Sequence, residues 1–461
     1  MSESHLPSSF RDIGNFVYES KGIVYRKILE DSYEDYSNLI ASGLYDYLVE
    51  SKYLVSHDEI LDPSAVKSSK NIILRPEKIR FITYPYEWCF SQLKDAALLT
   101  LQICIDAIEY GMILKDATAY NIQFHNGKPI LIDTCSLSKY KEGEGWMAYQ
   151  QFCKHFFAPL LLMSKTDIRL NLLSKIHIDG VPLDLASRLL PMKSWASPSI
   201  LAHIHMHART QNKYAGSGDA SKNKIRNISK IGMLGLLNNL KRSINKLKLS
   251  RIDTEWGDYY NFTNYSSSSA SHKADTVLSM VKQSGAETIL DIGSNNGQYS
   301  RVATAFGATV ISADIDPIAV ENNYLTVKDK KESSIIPIIQ DMTNPSSSIG
   351  WAHNERGSLQ DRSGFDLVMA LALVHHLAIS NNVPFDLIAK YLSKLGKFLI
   401  IEFVPKEDSK VVKLLSSRED IFPEYNEEYF IKSFSRFYKI INRIVIKESK
   451  RTLCLMQVKN G

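Results

Sequence analysis

The chain has 461 residues, 44% of them hydrophobic and 23% charged, with a formal net charge of +5. That length exceeds one ordinary core and predicts two or three domains, and the composition is that of a soluble globular protein. No apolar run approaches the roughly 20 residues of a membrane span, Met1–Pro7 lacks the basic and apolar regions of a secretory signal, and five scattered cysteines without a C-x-x-C pair predict reduced thiols, a cytoplasmic location and no cysteine-type zinc site.

The first segment, residues 1–215, opens with β-rich runs over Asn15–Glu19 and Ile23–Leu29. Ser20-Lys21-Gly22 between them predicts a hairpin. Gln92–Gly111 carries apolar residues at helical spacing and closes on glycine, which predicts a helix. Next comes Leu114-Lys-Asp-Ala-Thr-Ala-Tyr-Asn121, then Ile130-Leu-Ile-Asp133. An Asp, an Asn five residues later and an Asp after a short hairpin resemble the catalytic loop and metal-binding segment of protein-kinase-like enzymes. The resemblance implies a kinase-like α+β domain, with Asp116 as base, Asn121 and Asp133 on magnesium, and ATP as a second cofactor. It has departures. Leu114-Lys115 stands where His-Arg is expected and Thr134-Cys135 where Phe-Gly is expected. There is no glycine-rich nucleotide loop, and Lys27, the candidate strand lysine, has no evident partner. A hairpin with turn-forming Asp and Asn stays open as the plainer reading. His203, His205 and His207 would share one face of a strand, but Pro198–Gln211 reads as helix, which separates them and argues against a metal site.

Tyr214-Ala-Gly-Ser-Gly218 reads as a flexible break. Residues 216–255 then form a basic stretch. From Lys222 to Arg251 there are nine Lys or Arg and no acid. Leu234, Leu236, Leu237, Leu240, Ile244 and Leu247 give it an amphipathic stripe, which predicts a linker helix packed on a neighbour. A solvated basic face is the first reading. A nucleic-acid-binding arm over 222–251 is the alternative.

The third segment, 256–461, alternates strands (Thr288–Ile292, Thr309–Ala313, Ile335–Ile339, Asp366–Leu371, Phe398–Phe403) with helices (Gly297–Phe306, Ile318–Lys328, Pro384–Ser393). A terminal antiparallel hairpin follows over Phe437–Val458. Ser266–Ser269 reads as loop, and Tyr259, Tyr260 and Tyr265 precede the domain. The alternation predicts an α/β, doubly wound, Rossmann-like sheet with its ligand at the carboxyl ends of the strands.

Within it, Glu287-Thr-Ile-Leu-Asp-Ile-Gly-Ser-Asn-Asn-Gly297 reads as strand, glycine loop and helix start, and the next strand ends in Asp314. The spacing of Gly293 and Gly297 does not suit the G-x-G-x-x-G pyrophosphate turn of nicotinamide folds. Together with Asp341-Met342 and Phe365–Leu377, it resembles class I S-adenosylmethionine-dependent methyltransferases. That resemblance implies S-adenosylmethionine as cofactor. Asp291 would orient the loop amides, and Gly293, Ser294, Asn295 and Gly297 would lie against the cofactor. Asp314 and Ile315 would sit at the ribose, Asp341 and Met342 at the adenine, and Ala370 at the turn facing the methyl group. His375, His376 and Glu402 are the candidate catalytic residues, a histidine serving as base for a hydroxyl acceptor.

Taken whole, Ser9–Asp12, Tyr84–Lys94, Leu114–Asn121, His177–Gly180 and Glu402–Asp408 resemble bacterial methyltransferases related to the Noe-type nodulation proteins. The resemblance implies O-methylation of a carbohydrate or related cell-surface glycan, a small-molecule or glycan partner. An RNA or protein methyltransferase, or a bifunctional kinase–methyltransferase, is the alternative.

Overall fold

The computed structural model describes residues 4–12, 14–60, 71–207, 228–249, 266–416 and 419–459. The expected breaks at 215/216 and 255/256, the Tyr214–Gly218 segment and Tyr259, Tyr260 and Tyr265 lie outside the described residues. The chain forms two compact units: Met1–Ile252 together with Ile349–Arg356, and Asp253–Ser348 together with Gly357–Gly461.

Unit 1 begins with an antiparallel sheet of strands β1 (Ser4–His5), β2 (Asn15–Ser20), β3 (Ile23–Ile28), β4 (His57–Ile60) and β5 (Ile72–Pro76), in the order β1-β2-β3-β5-β4. Lys21 and Gly22 form the two-residue β2–β3 turn with φ of 52° and 77°, the positive values that a tight hairpin turn requires. The helix Phe90–Glu109 starts with a capping box in which Gln92 accepts from the Cys89 amide, and it buries Leu93, Ala97, Leu101 and Ile108. Four short strands follow: β6 (Met112–Leu114), β7 (Ile122–His125), β8 (Lys128–Leu131) and β9 (Leu137–Lys139), paired β6–β9 and β7–β8. This places Asp116 just after β6, Asn121 just before β7 and Asp133 just after β8.

The basic stretch forms a helix over Lys230–Lys246, capped by the Ser229 hydroxyl. Its buried face is Met233, Leu237, Leu240 and Ile244, which packs against Phe90–Glu109. The expected stripe is therefore shifted: Leu234 and Leu236 lie at its margins, half-buried, and Met233 takes the centre. Two of its basic residues are held within unit 1. Lys230 pairs with Glu109 at 3.0 Å, and Lys241 bonds Gln102.

Unit 2 is built on a seven-stranded sheet of β10 (Thr288–Ile292), β11 (Thr309–Asp314), β12 (Ile335–Ile339), β13 (Phe365–Ala370), β14 (Gly396–Phe403), β15 (Tyr438–Val445) and β16 (Thr452–Val458). The order is β12-β11-β10-β13-β14-β16-β15. The first five run parallel, and β16 runs antiparallel to β14 and β15. The central strands are apolar on both faces, as a sheet covered by helices on both sides demands. Ile289, Val310, Leu367, Met369 and Ile400 pack with Val277, Met280 and Val281 of the helix Ser267–Ser284. Ser266–Ser269, expected as loop, instead starts that helix: the Ser266 hydroxyl accepts from the Ser269 amide, and Gly285 at φ 64° ends it. A serine run that reads as loop in isolation here supplies the N-cap, Ser266, and the first turn of the helix. Strand order reverses between β10–β11 and β10–β13, which opens a crevice at the carboxyl ends of β10 and β13.

Candidate cofactor site

A cavity of about 400 Å³ occupies that crevice. The glycine loop after β10 forms one wall. Gly293, Asn295 and Gly297 all have positive φ (71°, 51° and 78°). A Cβ at Gly297 would come within 2.4–2.7 Å of Asn323 and Arg301 side-chain atoms, so only glycine fits there. The loop is tied to β11: the Gly293 and Ser294 amides donate to the Ala313 carbonyl, and the Asn295 amide donates to Asp314 Oδ2 at 2.7 Å. Asp314 Oδ1 accepts from the Asp316 amide at 2.9 Å. The loop amide that the sequence assigned to Asp291 is therefore held by Asp314. Asp291 accepts instead from the Ser300 hydroxyl at 2.6 Å.

Most of the expected cofactor residues line this one cavity: Asp291, Gly293, Ser294, Asn295, Asp314, Ile315, Asp341 and Met342. Two do not. Gly297 ends the loop as the N-cap of the helix Gln298–Ala303. Ala370 is buried at the end of β13, and the wall there is made by Leu371, Ala372 and Leu373, one to three residues further on. Asp341 Oδ1 accepts from the Thr343 amide and hydroxyl at 2.8 and 2.6 Å. Burial, which outweighs the Ser300 hydroxyl at Asp291 and the backbone amides at Asp314, pushes Asp291 up to about 7 and Asp314 up to about 6. The Ser294 hydroxyl is buried against this cavity with no hydrogen-bond partner. A buried hydroxyl without a partner beside two buried carboxyls suits a polar, cationic ligand.

His376 lines the cavity, in a π-helical turn over His376–Ser380. Burial, with Lys410 adding to it, lowers its pKa to about 4. Its neighbour His375, with ring centroids 4.2 Å apart, is 1% exposed and does not reach the cavity; burial first, then the charges of His376, Arg451 and Lys273, hold it neutral. Glu402, a candidate catalytic acid, does not line the cavity either. It is fully buried, 2.6 Å from Lys273 Nζ and 3.6 Å from Arg451. Arg451 in turn is paired with Asp408 at 2.7 Å. Lys273, which sequence reasoning missed, does line the cavity, and its ammonium lies 4.7 Å from the Tyr299 ring centre.

In unit 1, Asp116, Asn121 and Asp133 do come together. Asn121 Nδ2 lies 3.5 Å from Asp133 Oδ2 and 3.0 Å from Ser136 Oγ, and burial followed by the charge of Asp133 raises the pKa of Asp116. Asp133, however, is occupied. Oδ1 receives Arg26 at 2.6 Å and the Cys135 amide at 3.0 Å, and Oδ2 receives the Ser136 hydroxyl at 2.8 Å. A magnesium ion needs carboxylate oxygens free to face it, so these residues do not fit the ATP–magnesium site that the kinase resemblance implied. Lys27, the strand lysine considered from sequence, is adjacent to the residue that meets Asp133, which is Arg26.

Of the three histidines near residue 205, His203 and His205 are buried hydrogen-bonding groups and His207 is half-buried beside the Tyr149 ring. His203 bonds Tyr149 at 2.6 Å and Asn239 at 3.0 Å. His205 sits between Ser187 and Ser194 and stacks on Trp195 with centroids 4.0 Å apart. Among the described residues no group of three or more His, Cys, Asp or Glu could hold a metal ion, and no helix is long and apolar enough to cross a membrane.

A doubly wound parallel sheet with an antiparallel strand β16 beside β14, and acids at the ends of β10 and β11 around one cavity, is the Rossmann-like fold of the class I methyltransferases. The chain is 35% identical over 456 residues to the nodulation protein NoeA of Rhizobium meliloti (strain 1021), covering 97% of this chain and 95% of that protein. It belongs to the NoeA family. Among solved structures it is similar to magnesium protoporphyrin IX methyltransferase of Synechocystis PCC 6803, at 17% identity and a TM-score of 0.31 over 41% of this chain and 84% of that one. It is also similar to the N-methyltransferase NodS of Bradyrhizobium japonicum WM9, at 13% identity and a TM-score of 0.31 over 42% of this chain and 88% of that one. No family model matches the chain.

Proposed function

We propose that unit 2 is an S-adenosylmethionine-dependent methyltransferase that methylates a hydroxyl of a carbohydrate acceptor. The observation that carries this reading is the convergence of Asp291, Asp314, Asp341 and the glycine loop on one cavity at the switch point of the sheet. The cofactor, when bound, supplies an electrophilic methyl group. Asp314 accepts from ribose hydroxyls while anchoring the loop, and Met342 packs on the adenine. Leu371, Leu373, Leu377 and Leu414 keep water from the reacting end. His376, neutral at physiological pH because its pKa is held near 4, accepts the hydroxyl proton as the new O–C bond forms. Exposed Ser380 and Asn381 at the rim give polar contacts suited to a hydroxylated acceptor.

Unit 1 serves, on this reading, as a kinase-like scaffold for acceptor recognition without phosphotransfer, because Arg26 takes the place beside Asp133 that a cation would need. We place the protein in the cytoplasm on the strength of its five free cysteines. The test is transfer of a labelled methyl group from S-adenosylmethionine to oligosaccharides, with RNA and protein offered in parallel. Label in glycan that resists amine-specific release supports O-methylation. Label in RNA with steep salt dependence instead would move the acceptor to the basic helix. ATP and magnesium should neither bind nor change the rate; saturable ATP binding would overturn the account of unit 1.

A further inference from the structure

A tryptophan on the surface of unit 1 is held in a strained turn. Trp351 is 74% exposed and lies in Ile349–Arg356, the segment between β12 and β13 in sequence that belongs to unit 1. Ala352 and His353, which follow it, both take left-handed backbone (φ 53° and 55°), a conformation that residues with side chains rarely adopt in succession. Such strain persists only where the surroundings enforce it. Here they do. Ile349 and Arg356 close the turn with backbone bonds of 3.0 Å each way, and Ile349 packs on the buried Tyr84, Tyr86 and Tyr120. The buried Glu355 carboxylate accepts from the Trp351 amide at 3.2 Å and receives Arg11 Nε and Nη2 at 2.7 and 3.0 Å. Arg11 also pairs with exposed Asp179 at 3.1 Å and lies 5.5 Å from the ring centre of Phe10, itself 52% exposed. Two solvent-facing aromatic rings are thus tied into one patch through Arg11 and Glu355, and exposed His353 and Asn354 follow Trp351 in the turn.

We propose that Trp351 and Phe10, with Arg11, Asp179, His353 and Asn354 around them, form a saccharide platform on which a pyranose ring of the acceptor stacks. This rests on the glycan reading above and deepens it, giving unit 1 the residues with which it recognises the acceptor. A pyranose with equatorial hydroxyls has an apolar face of C–H bonds and a polar rim. The indole face meets the first, and the side chains of Asp179, His353 and Asn354 suit the second, accepting from and donating to hydroxyls. Holding the indole in place beforehand spares the ordering cost that a mobile side chain incurs on binding. Single-stranded nucleic acid also stacks on aromatic rings, but it needs cations along its phosphates. The two arginines of this patch are already taken. Arg11 faces the Glu355 and Asp179 carboxylates, and Arg356 lies 4.3 Å from the Tyr120 ring centre and 3.7 Å from Glu355. The exposed Asp179 carboxylate repels a phosphate and accepts from a sugar hydroxyl.

The test is calorimetric titration of the full-length protein with tetrasaccharides of β-1,4-linked glucose, mannose and galactose, and with poly-uridylate RNA. We expect at least one tetrasaccharide to bind. Trp351→Ala should weaken that binding about 10-fold or more, Phe10→Ala should weaken it several-fold, and Trp351→Phe should keep most of the affinity. Neither ring lines the cofactor cavity. S-adenosylhomocysteine affinity should therefore stay at the wild-type value in every variant, and KM for a methylated glycan should rise at unchanged kcat. Binding of none of the sugars, or sugar binding that Trp351→Ala leaves intact, overturns the proposal. So does RNA binding that is lost in Trp351→Ala while the sugars do not bind. Variants that methylate a glycan with wild-type KM overturn the platform and leave the glycan reading in place. Wild-type protein that binds S-adenosylhomocysteine but transfers no methyl group to any glycan sinks that reading itself.

Discussion

Replacing Asp314 with Asn tests the link between the glycine loop and the cofactor. The carboxylate is 7% exposed and bridges two chain segments, accepting from the Asn295 amide at 2.7 Å and the Asp316 amide at 2.9 Å. An amide keeps one acceptor oxygen and turns the other position into a donor facing a donor. The side chain also loses the charge that strengthens bonds to ribose hydroxyls. A hydrogen bond to a charged group is worth about 1.5–3 kcal/mol, which corresponds to S-adenosylhomocysteine binding roughly 10- to 150-fold more weakly. Titration calorimetry at pH 7.5 measures this directly. The pH dependence adds a second reading. Asp314 has a folded pKa raised to about 6 and Asp291 one of about 7, and the ligand favours both ionised, so wild-type affinity should rise between pH 5.5 and 7.5. Asp314→Asn should lose part of that rise. A variant with wild-type affinity and a wild-type pH profile would refute the assignment of Asp314 to the ribose.

Three other outcomes follow from the same geometry. The folded-state pKa of Asp291 near 7, against 3.8 for the free group, means that the ligand-free fold holds a proton the unfolded chain has released. The penalty is absent below about pH 4 and grows as pH rises to about 7, so Asp291→Asn should gain stability over wild type by about 2–4 kcal/mol on going from pH 4 to pH 8, while losing cofactor binding. Parallel denaturant melts check this; a stability difference independent of pH would contradict it. His376, with its pKa lowered to about 4, stays neutral through the physiological range, so the methyl-transfer rate should show no His-like acid limb near 6.5, and His376→Gln should lower kcat by about 10²–10⁴-fold. A limb near 6.5 that vanishes in His376→Gln would show the base to be an unperturbed imidazole. Gly297→Ala places a methyl within 2.4–2.7 Å of Asn323 and Arg301 at φ 78°, and should cost about 1–3 kcal/mol of stability and abolish cofactor binding; a wild-type melting curve would show the loop to be more yielding than described.

The sheet of unit 2 was legible because parallel strands buried on both faces read as short apolar runs bounded by loops, and Thr288–Ile292, Thr309–Asp314 and Ile335–Ile339 are such runs. The acids were legible because Asp291, Asp314 and Asp341 stand at or just beyond the carboxyl ends of those strands. Lys273 was not. It sits in Ser-His-Lys-Ala-Asp, which reads as a solvated helix face, and the residue that reveals its burial, Glu402, lies 129 positions away. Glu402 and His375 were singled out for their chemistry, yet local sequence could not tell that one faces the core behind Lys273 and the other sits behind His376. The choice between Lys27 and Arg26 turns on strand register: neighbours on β3 point to opposite faces, and pairing with β2 and β5 puts Arg26 on the side of Asp133. A pattern of Asp, Asn and Asp thus identified residues that do meet, without disclosing that an arginine meets them too.

The central claim is that the cavity at the ends of β10 and β13 holds S-adenosylmethionine. Calorimetric titration of the full-length protein with S-adenosylhomocysteine, in the absence of any acceptor, tests it most directly. The account predicts saturable binding of one ligand per chain, lost in Asp314→Asn and Gly297→Ala; the absence of binding by folded wild-type protein would contradict it.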